Sequence, residues 1–137
     1  MNILRGVISS IMSQASVTLI DVQVGETALS ATLLGSEHGS SQWRIGQSVD
    51  CCFNEMEVAI AKNFSGQLSL RNRLSGKVTA IEVGEILTRV HFLMAEFTVT
   101  SVITSRSAQQ MELAIGDEIL GLVKSNEMNL VLLGAYS

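Results

Sequence analysis

The chain has 137 residues, 47% of them hydrophobic and 16% charged, with a formal net charge of −4. That is enough apolar material to bury a core in one ordinary domain or two very small ones, and it excludes a disordered chain. The acidic balance argues against general nucleic-acid binding, and no apolar run approaches the roughly 20 residues of a membrane-spanning helix.

The opening "MNILRGVISSIMSQ" reads as a strand. It carries one arginine and is interrupted by Ser9 and Ser10, which makes a poor signal peptide, so a cytoplasmic chain is expected. Strand-like alternation continues through "VTLIDVQVGE" (17–26), and "GSEHGSSQ" (35–42) reads as a loop with His38 in solvent. In "VDCCF" the adjacent Cys51 and Cys52 point to opposite faces of a strand, so one core thiol and one partly exposed thiol are expected. Neither His38 nor His91 has companions at metal-ligand spacing. The polar "AKNFSGQLSLRN" (61–72) is too short and too stiff to be a Gly/Ser linker. Beyond it the pattern predicts strands near 74–83, 86–94 and 97–104, a helix near 106–113 stopped at Gly116, and strands near 118–124 and 127–133. In "ILTRVHFLM", Ile86, Thr88, Val90, Phe92 and Met94 share a face.

Sliding the chain by 70 residues matches it to itself. "LRGVISSI" (4–11) lies over "LSGKVTAI" (74–81), and "WRIGQSVDCCF" (43–53) over "LAIGDEILGLV" (113–123). "EVAIA" (57–61) meets "EMNLV" (127–131), with no gap anywhere. An internal duplication follows. The expected fold is mostly β, two tandem OB-like five-stranded barrels over 1–63 and 64–137, each with a short helix. Barrels of that size are marginal alone, so the copies should be tightly coupled and the chain a homo-oligomer, dimer or trimer.

Candidates for catalysis are thin. Asp117–Glu118 and the Glu82–Glu85 pair around Gly84 sit at turns and read as solvated, and no phosphate loop appears, so an enzyme is not expected. Binding fits better. Residues 64–137 hold six Lys/Arg against seven Asp/Glu, whereas 1–63 hold three against six. Three polar clusters fall at strand ends of the second copy: "SLRN" (69–72), "ITSRS" (103–107) and "KSN" (124–126). Together with N–H groups at the helix start near Ser105–Ser107, they offer an all-donor inventory suited to a small tetrahedral oxyanion.

These residues resemble the Mop family of molybdate-binding proteins (molbindins). The family's Ser-Ala-Arg-Asn-x-Leu-x-Gly stands here as Ser69-Leu70-Arg71-Asn72-Arg73-Leu74-Ser75-Gly76, and its Val-Thr-x-x-Ser-Ala as Ile103-Thr104-Ser105-Arg106-Ser107-Ala108. The Leu-x-x-Gly turn is Leu113 to Gly116, and the late Val-Lys-Ala-Ser is Val123-Lys124-Ser125-Asn126. The resemblance implies an anion bound at subunit interfaces. Ser69, Arg71 and Asn72 would form one wall, and Thr104, Ser107, Lys124 and Ser125, from a neighbouring chain, the other. Arg73 and Lys77 would stay solvated or supply a long-range field.

In the first copy Met1-Asn2 replaces the Arg-Asn pair, Leu34 stands for Thr104, Glu37 for Ser107, and Asn54-Glu55 for Lys124-Ser125. Glu37 or Glu55 would repel an oxyanion, so the first copy is expected to be a structural partner with degenerate ligand motifs. The implied function is cytoplasmic molybdate or tungstate binding for storage or homeostasis, with no cofactor and no directly ligated metal cation. A sensing module that reports through another chain, and an OB-like nucleic-acid binder poor in stacking aromatics, are the alternatives.

Overall fold

The computed structural model describes residues 1–35 and 42–133. The helical turn expected in the first copy, with Glu37 and His38, lies outside them. The first repeat forms β1 (Asn2–Gln14), β2 (Val17–Val24), β3 (Thr27–Leu34), β4 (Ser48–Phe53), a 3-10 turn Glu55–Glu57 and β5 (Ala59–Lys62). The second forms β6 (Asn72–Val83), β7 (Leu87–Met94), β8 (Phe97–Thr104), α1 (Ser105–Gln110), β9 (Glu118–Val123), a 3-10 turn Ser125–Glu127 and β10 (Asn129–Leu132).

The long first strand of each repeat serves two neighbours. The front of β1 pairs with β4 and its back with β2, with an irregularity between Ile8 and Ser10. β6 does the same with β9 and β7, shifting register between Val78 and Ala80. Such a bulge bends and twists a strand, which lets one strand bridge two sides of a barrel. The bend explains two glycines shared by the repeats. A Cβ on Gly6 would lie 2.5 Å from the carbonyl oxygen of Gln23, and one on Gly76 would lie 2.6 Å from that of Leu93. Gly46 and Gly116 supply the positive φ (95° and 96°) of the turn before β4 and β9, and their N–H groups reach Ile8 and Val78 at 2.8 Å.

Two five-stranded antiparallel sheets result, in the orders β10-β4-β1-β2-β3 and β5-β9-β6-β7-β8. The sheets therefore do not follow the division at residues 63 and 64: each takes its fifth strand from the other repeat. β5 pairs with β9 from Ala59↔Leu122 to Lys62↔Ile119, and β10 pairs with β4 from Asn129↔Cys52 to Leu132↔Val49. What drives the exchange is burial. Val58 and Met128, just before the exchanged strands, are both 1% exposed, and one hydrophobic cluster runs through both repeats. Burying each side chain is worth about 1.5–3 kcal/mol, and the Ser101 hydroxyl fixes the Val58 carbonyl at 2.6 Å.

Inward residues alternate as expected along β7: Thr88, Val90, Phe92 and Met94 are buried, while Ile86, before the strand, is exposed. The thiols depart from expectation. Cys51 and Cys52 are both buried, because β4 lies between β1 and β10. Burial, and then the neighbouring Cys52 and Asp50, push the Cys51 thiol up to about 12, which leaves it unreactive at neutral pH.

Candidate functional site

The resembling motif "SLRN" ends where β6 begins. Asn72 is fully buried, and its amide grips the backbone of the other repeat: its Oδ1 accepts from Ser30 N–H at 2.6 Å and its Nδ2 donates to Ser30 C=O at 2.9 Å. Asn72 was expected on the anion-facing wall; the structure makes it a buried inter-repeat clamp whose amide oxygen and nitrogen both bond Ser30 of the other repeat. Arg73 is not solvated either. Its guanidinium donates to Leu70 C=O at 3.1 Å and Leu68 C=O at 2.9 Å and lies 5.8 Å from the Phe64 ring centroid. It thereby pins the segment that carries exposed Ser69 and Arg71.

The ladder between β6 and β9 ends at Asn72↔Val123, so Arg71 and Lys124 come next, on opposite strands of the same edge. Lys124 continues the extended backbone (φ −70°, ψ 142°), and its side chain does not cap the following turn. Both side chains are exposed, and neither makes an ion pair or hydrogen bond among the described residues. Like charges facing each other across strands are unfavourable, so this edge is primed for an anion. Ser125, the next residue, shares a 2.8 Å hydroxyl–hydroxyl hydrogen bond with Thr32 on β3. Within the chain, Lys124 and Ser125 therefore stand on the same edge as Arg71.

Thr104 and Ser107 lie elsewhere. Thr104 caps α1: its Oγ1 accepts from Ser107 N–H at 3.1 Å and donates to Ser107 Oγ at 2.9 Å, so that bond does not use the Ser107 hydroxyl proton. They line a cleft of about 410 Å³ with Met56, Glu57 and Val58 of the first repeat. The helix start offers less than expected, because Ser105 N–H is bonded to Ile86 C=O and Ser107 N–H to Thr104. The buried Ser105 hydroxyl is engaged with Thr88 and Gly84. The seven expected residues thus divide into an Arg71–Lys124–Ser125 edge with Ser69 on the adjoining segment, a Thr104–Ser107 edge, and Asn72 between the repeats.

The repeat equivalents of these positions form a second, chemically different end. Asn2 keeps the asparagine of its motif and its role: its Oδ1 accepts from Thr100 N–H and its Nδ2 donates to Thr100 C=O, both at 2.8 Å. The Arg-Asn pair is only half replaced. Glu55, in the place of Ser125, is bridged to Arg89 at 3.1 Å and to the Met1 nitrogen at 3.4 Å. Arg89 occupies the place of Leu19 and was not singled out from the sequence; its only signal was a cation in one copy facing an acid in the other across the repeat register.

Glu82 and Asp117, expected to be solvated, have partners, and so does His91. His91 bonds Thr100 through Nδ1 at 2.9 Å and Glu82 through Nε2 at 2.5 Å, and the His91 hydrogen bond holds the Glu82 carboxyl below the usual carboxylate range. Asp117 is held below its ordinary value first by the Ala114 N–H and then by Lys62, 3.0 Å away. Lys62 also donates to Met111 and Glu112 C=O at 3.0 and 2.9 Å, tying the exchanged β5 to the end of α1. No cluster of His, Cys, Asp or Glu fit to hold a metal ion occurs among the described residues, and no helix is long and apolar enough to cross a membrane.

Comparison with known proteins reaches the same half of the chain. Residues 68–130 match the TOBE domain family. The chain is 42% identical over 69 residues to the molybdenum transport protein ModE of Azotobacter vinelandii, covering 50% of this chain and 26% of that protein. It is 38% identical over 68 residues to the molybdenum-pterin-binding protein MopB of Rhodobacter capsulatus, covering 49% and 25%. The aligned part spans about a quarter of the length of these relatives. Among solved structures, the cytoplasmic molybdate-binding protein ModG with molybdate bound superposes with a TM-score of 0.90 at 25% identity, over 96% of this chain and 95% of that one.

Proposed function

We propose that the chain is a member of the Mop (molbindin) group of TOBE-domain proteins and binds molybdate or tungstate in the cytoplasm for storage or homeostasis, a reading supported by the TOBE match, the molybdenum-protein relatives and the likeness to ModG. The observation that carries the proposal is the edge where Arg71 and Lys124 face each other without an anionic partner among the described residues. Molybdate is a dianion at neutral pH, and its hydration must be replaced by fixed donors and positive charge. Each hydrogen bond involving a charged group is worth about 1.5–3 kcal/mol net. Four to six of them, less ordering and desolvation costs, suffice for micromolar binding, about 8 kcal/mol.

The donors supplied by Arg71, Lys124, Ser69 and Ser125 cover one side of such an anion. Within the chain, the position facing them that corresponds to Thr104 is Leu34, an exposed apolar side chain without a donor. The second wall is therefore Thr104 and Ser107 of another copy, which makes the working unit a homo-oligomer. The second repeat (64–137) brings the ligand groups, and the first (1–63) supplies scaffold. The Arg71 and Lys124 donors, which cannot accept, disfavour hydrogen phosphate, whose proton finds only hydroxyl oxygens there, while tungstate, nearly equal in size and charge to molybdate, passes.

Isothermal titration with molybdate, tungstate, sulfate and phosphate, on protein of known assembled mass, tests this. Saturable heat with molybdate and tungstate alone is the expected result; no heat with any of the four anions would refute it.

A further inference from the structure

We infer that Thr32, on β3 of the first repeat, is a positioning residue of the oxyanion site: it donates its hydroxyl proton to Ser125 and so turns the Ser125 proton toward the bound anion. The inference rests on the oxyanion function proposed above and deepens it. Thr32 Oγ1 and Ser125 Oγ lie 2.8 Å apart, across 93 residues of sequence and between the two repeats. Both residues are half-buried, and neither side chain has another hydrogen bond among the described residues. A hydroxyl carries one proton and two acceptor lone pairs, so this bond can run in either direction. If Ser125 donates, its only proton is spent on β3 and it has only lone pairs to offer an anion. If Thr32 donates, the Ser125 proton is left for an anion at the Arg71–Lys124 edge. A dianion there selects the second direction, because only that one offers it a donor. The bonds then run in series from Thr32 to Ser125 to the anion, and bonds in such a chain polarise and strengthen one another.

The placement of the pair favours this role over that of a stray surface contact. Ser125 follows Lys124, and Asn72 follows Arg71. Both followers are anchored on β3: Asn72 grips the Ser30 backbone at 2.6 and 2.9 Å, and Ser125 meets Thr32 two residues further on. One strand of the first repeat thus holds both arms of the cationic edge. The turn after Lys124 is fixed as well, since the Lys124 and Ser125 carbonyls accept from Glu127 and Met128 N–H at 2.9 and 3.3 Å. With that backbone set, the direction of the Ser125 proton is what Thr32 decides. The opposite end provides the contrast. Asn2 grips Thr100 there as Asn72 grips Ser30, yet the counterpart of Thr32 is Val102, which has no hydroxyl. The counterpart of Ser125 is Glu55, paired with Arg89. Of the two ends, the one that carries Arg71 and Lys124 is therefore the one with the hydroxyl tether. The first repeat, scaffold elsewhere, lends this end one hydroxyl.

Molybdate titration of four variants tests the inference. Thr32→Val deletes the hydroxyl and keeps the shape. It should weaken molybdate binding roughly 3- to 10-fold, the loss of one neutral hydrogen bond in the chain, with the circular dichroism of the parent. Thr32→Ser, which keeps the hydroxyl, should bind within about twofold of the parent. Ser125→Ala should weaken binding at least as much as Thr32→Val does, and adding Thr32→Val to it should change affinity no further. Parental affinity in folded Thr32→Val would overturn the inference and leave Thr32 a tether between repeats. So would a loss that Thr32→Ser shares, or one that persists undiminished in the Ser125→Ala background. Failure of the underlying function looks different: the parent itself would take up no molybdate, and the inference would fall with it.

Discussion

At one end of the molecule Arg71 and Lys124 face each other with no ion-pair partner among the described residues. At the other, Met1 and Asn54 hold the corresponding places and Glu55 is drawn across to Arg89. The strand pairings beneath these ends agree 70 residues apart, save for Gln14↔Val17 at the tip of β1 and β2. The difference is therefore one of side-chain chemistry on a common frame. It teaches that the frame asks for little: a glycine where the long strand bends, a glycine at the turn before β4 or β9, and an asparagine to grip the other repeat. Residues meeting those demands recur in both copies, and the positions around the edges are free to diverge.

The largest effect expected to separate the ends is on ligand binding. Arg71→Ala or Lys124→Ala should weaken molybdate binding about 10- to 100-fold, the loss of one charged hydrogen bond of about 1.5–3 kcal/mol, with the fold intact. Asn54→Ala, at the place of Lys124, should change the titration little. Near-parental affinity in both cation variants would erase the contrast between the ends.

Next in size is a test of what the ends share. Asn72→Ala and Asn2→Ala each remove two hydrogen bonds to the opposite repeat. Each should cost about 2–3 kcal/mol in urea unfolding, since backbone groups are left unpaired. Asn72→Ala should reduce molybdate affinity far less than Arg71→Ala does. A folded Asn72→Ala protein with full stability and lost binding would return Asn72 to the anion wall.

Lys62→Met probes a latch present on one side only, because Leu132 holds the place of Lys62 in the other exchanged strand. It should lower stability by about 1 kcal/mol, as expected for exposed or half-exposed polar contacts, and raise amide exchange at the end of α1 above that in the parent. Unchanged exchange there would mean the latch holds nothing.

The smallest effect concerns acid. Asp117 titrates below its ordinary value of 3.8 in the folded protein, so its stabilising contribution is fully present above that value. The contribution is lost as the pH falls through the depressed value. Asp117→Asn should therefore flatten the stability-against-pH curve in that acid range and leave its neutral plateau nearly as shallow as before. An unaltered acid limb would remove Asp117 from the account.

Period-2 alternation carried the strands of the second repeat to within a residue or two, and the uninterrupted 70-residue self-match marked the duplication. Arg71 and Lys124 stood out because cations at strand ends in an acidic chain are unusual. The exchange of β5 and β10 was not legible, because a four-residue strand with alternating side chains fits either sheet edge equally well. Asn72 illustrates another limit: an asparagine beside an arginine looks the same in sequence whether its amide meets a ligand or a backbone 42 residues away. Arg73 was misjudged for a related reason, and the partners of His91 went unseen, since Leu68, Leu70, Thr100 and Glu82 are brought to them only once the chain has folded.

The reciprocal exchange of β5 and β10 gives the chain the topology of a fused dimer. Neither repeat owns a complete sheet, so a lone repeat would have to find a second one before either could close. Joining the two through residues 63–71 turns that bimolecular encounter into an internal event at high effective concentration. Assembly of the frame is thus insulated from dilution, and one copy can lose its ligand groups without losing the companion it needs to fold. A single break in that connecting segment would leave two fragments still interlocked, each held by the strand it lends to the other.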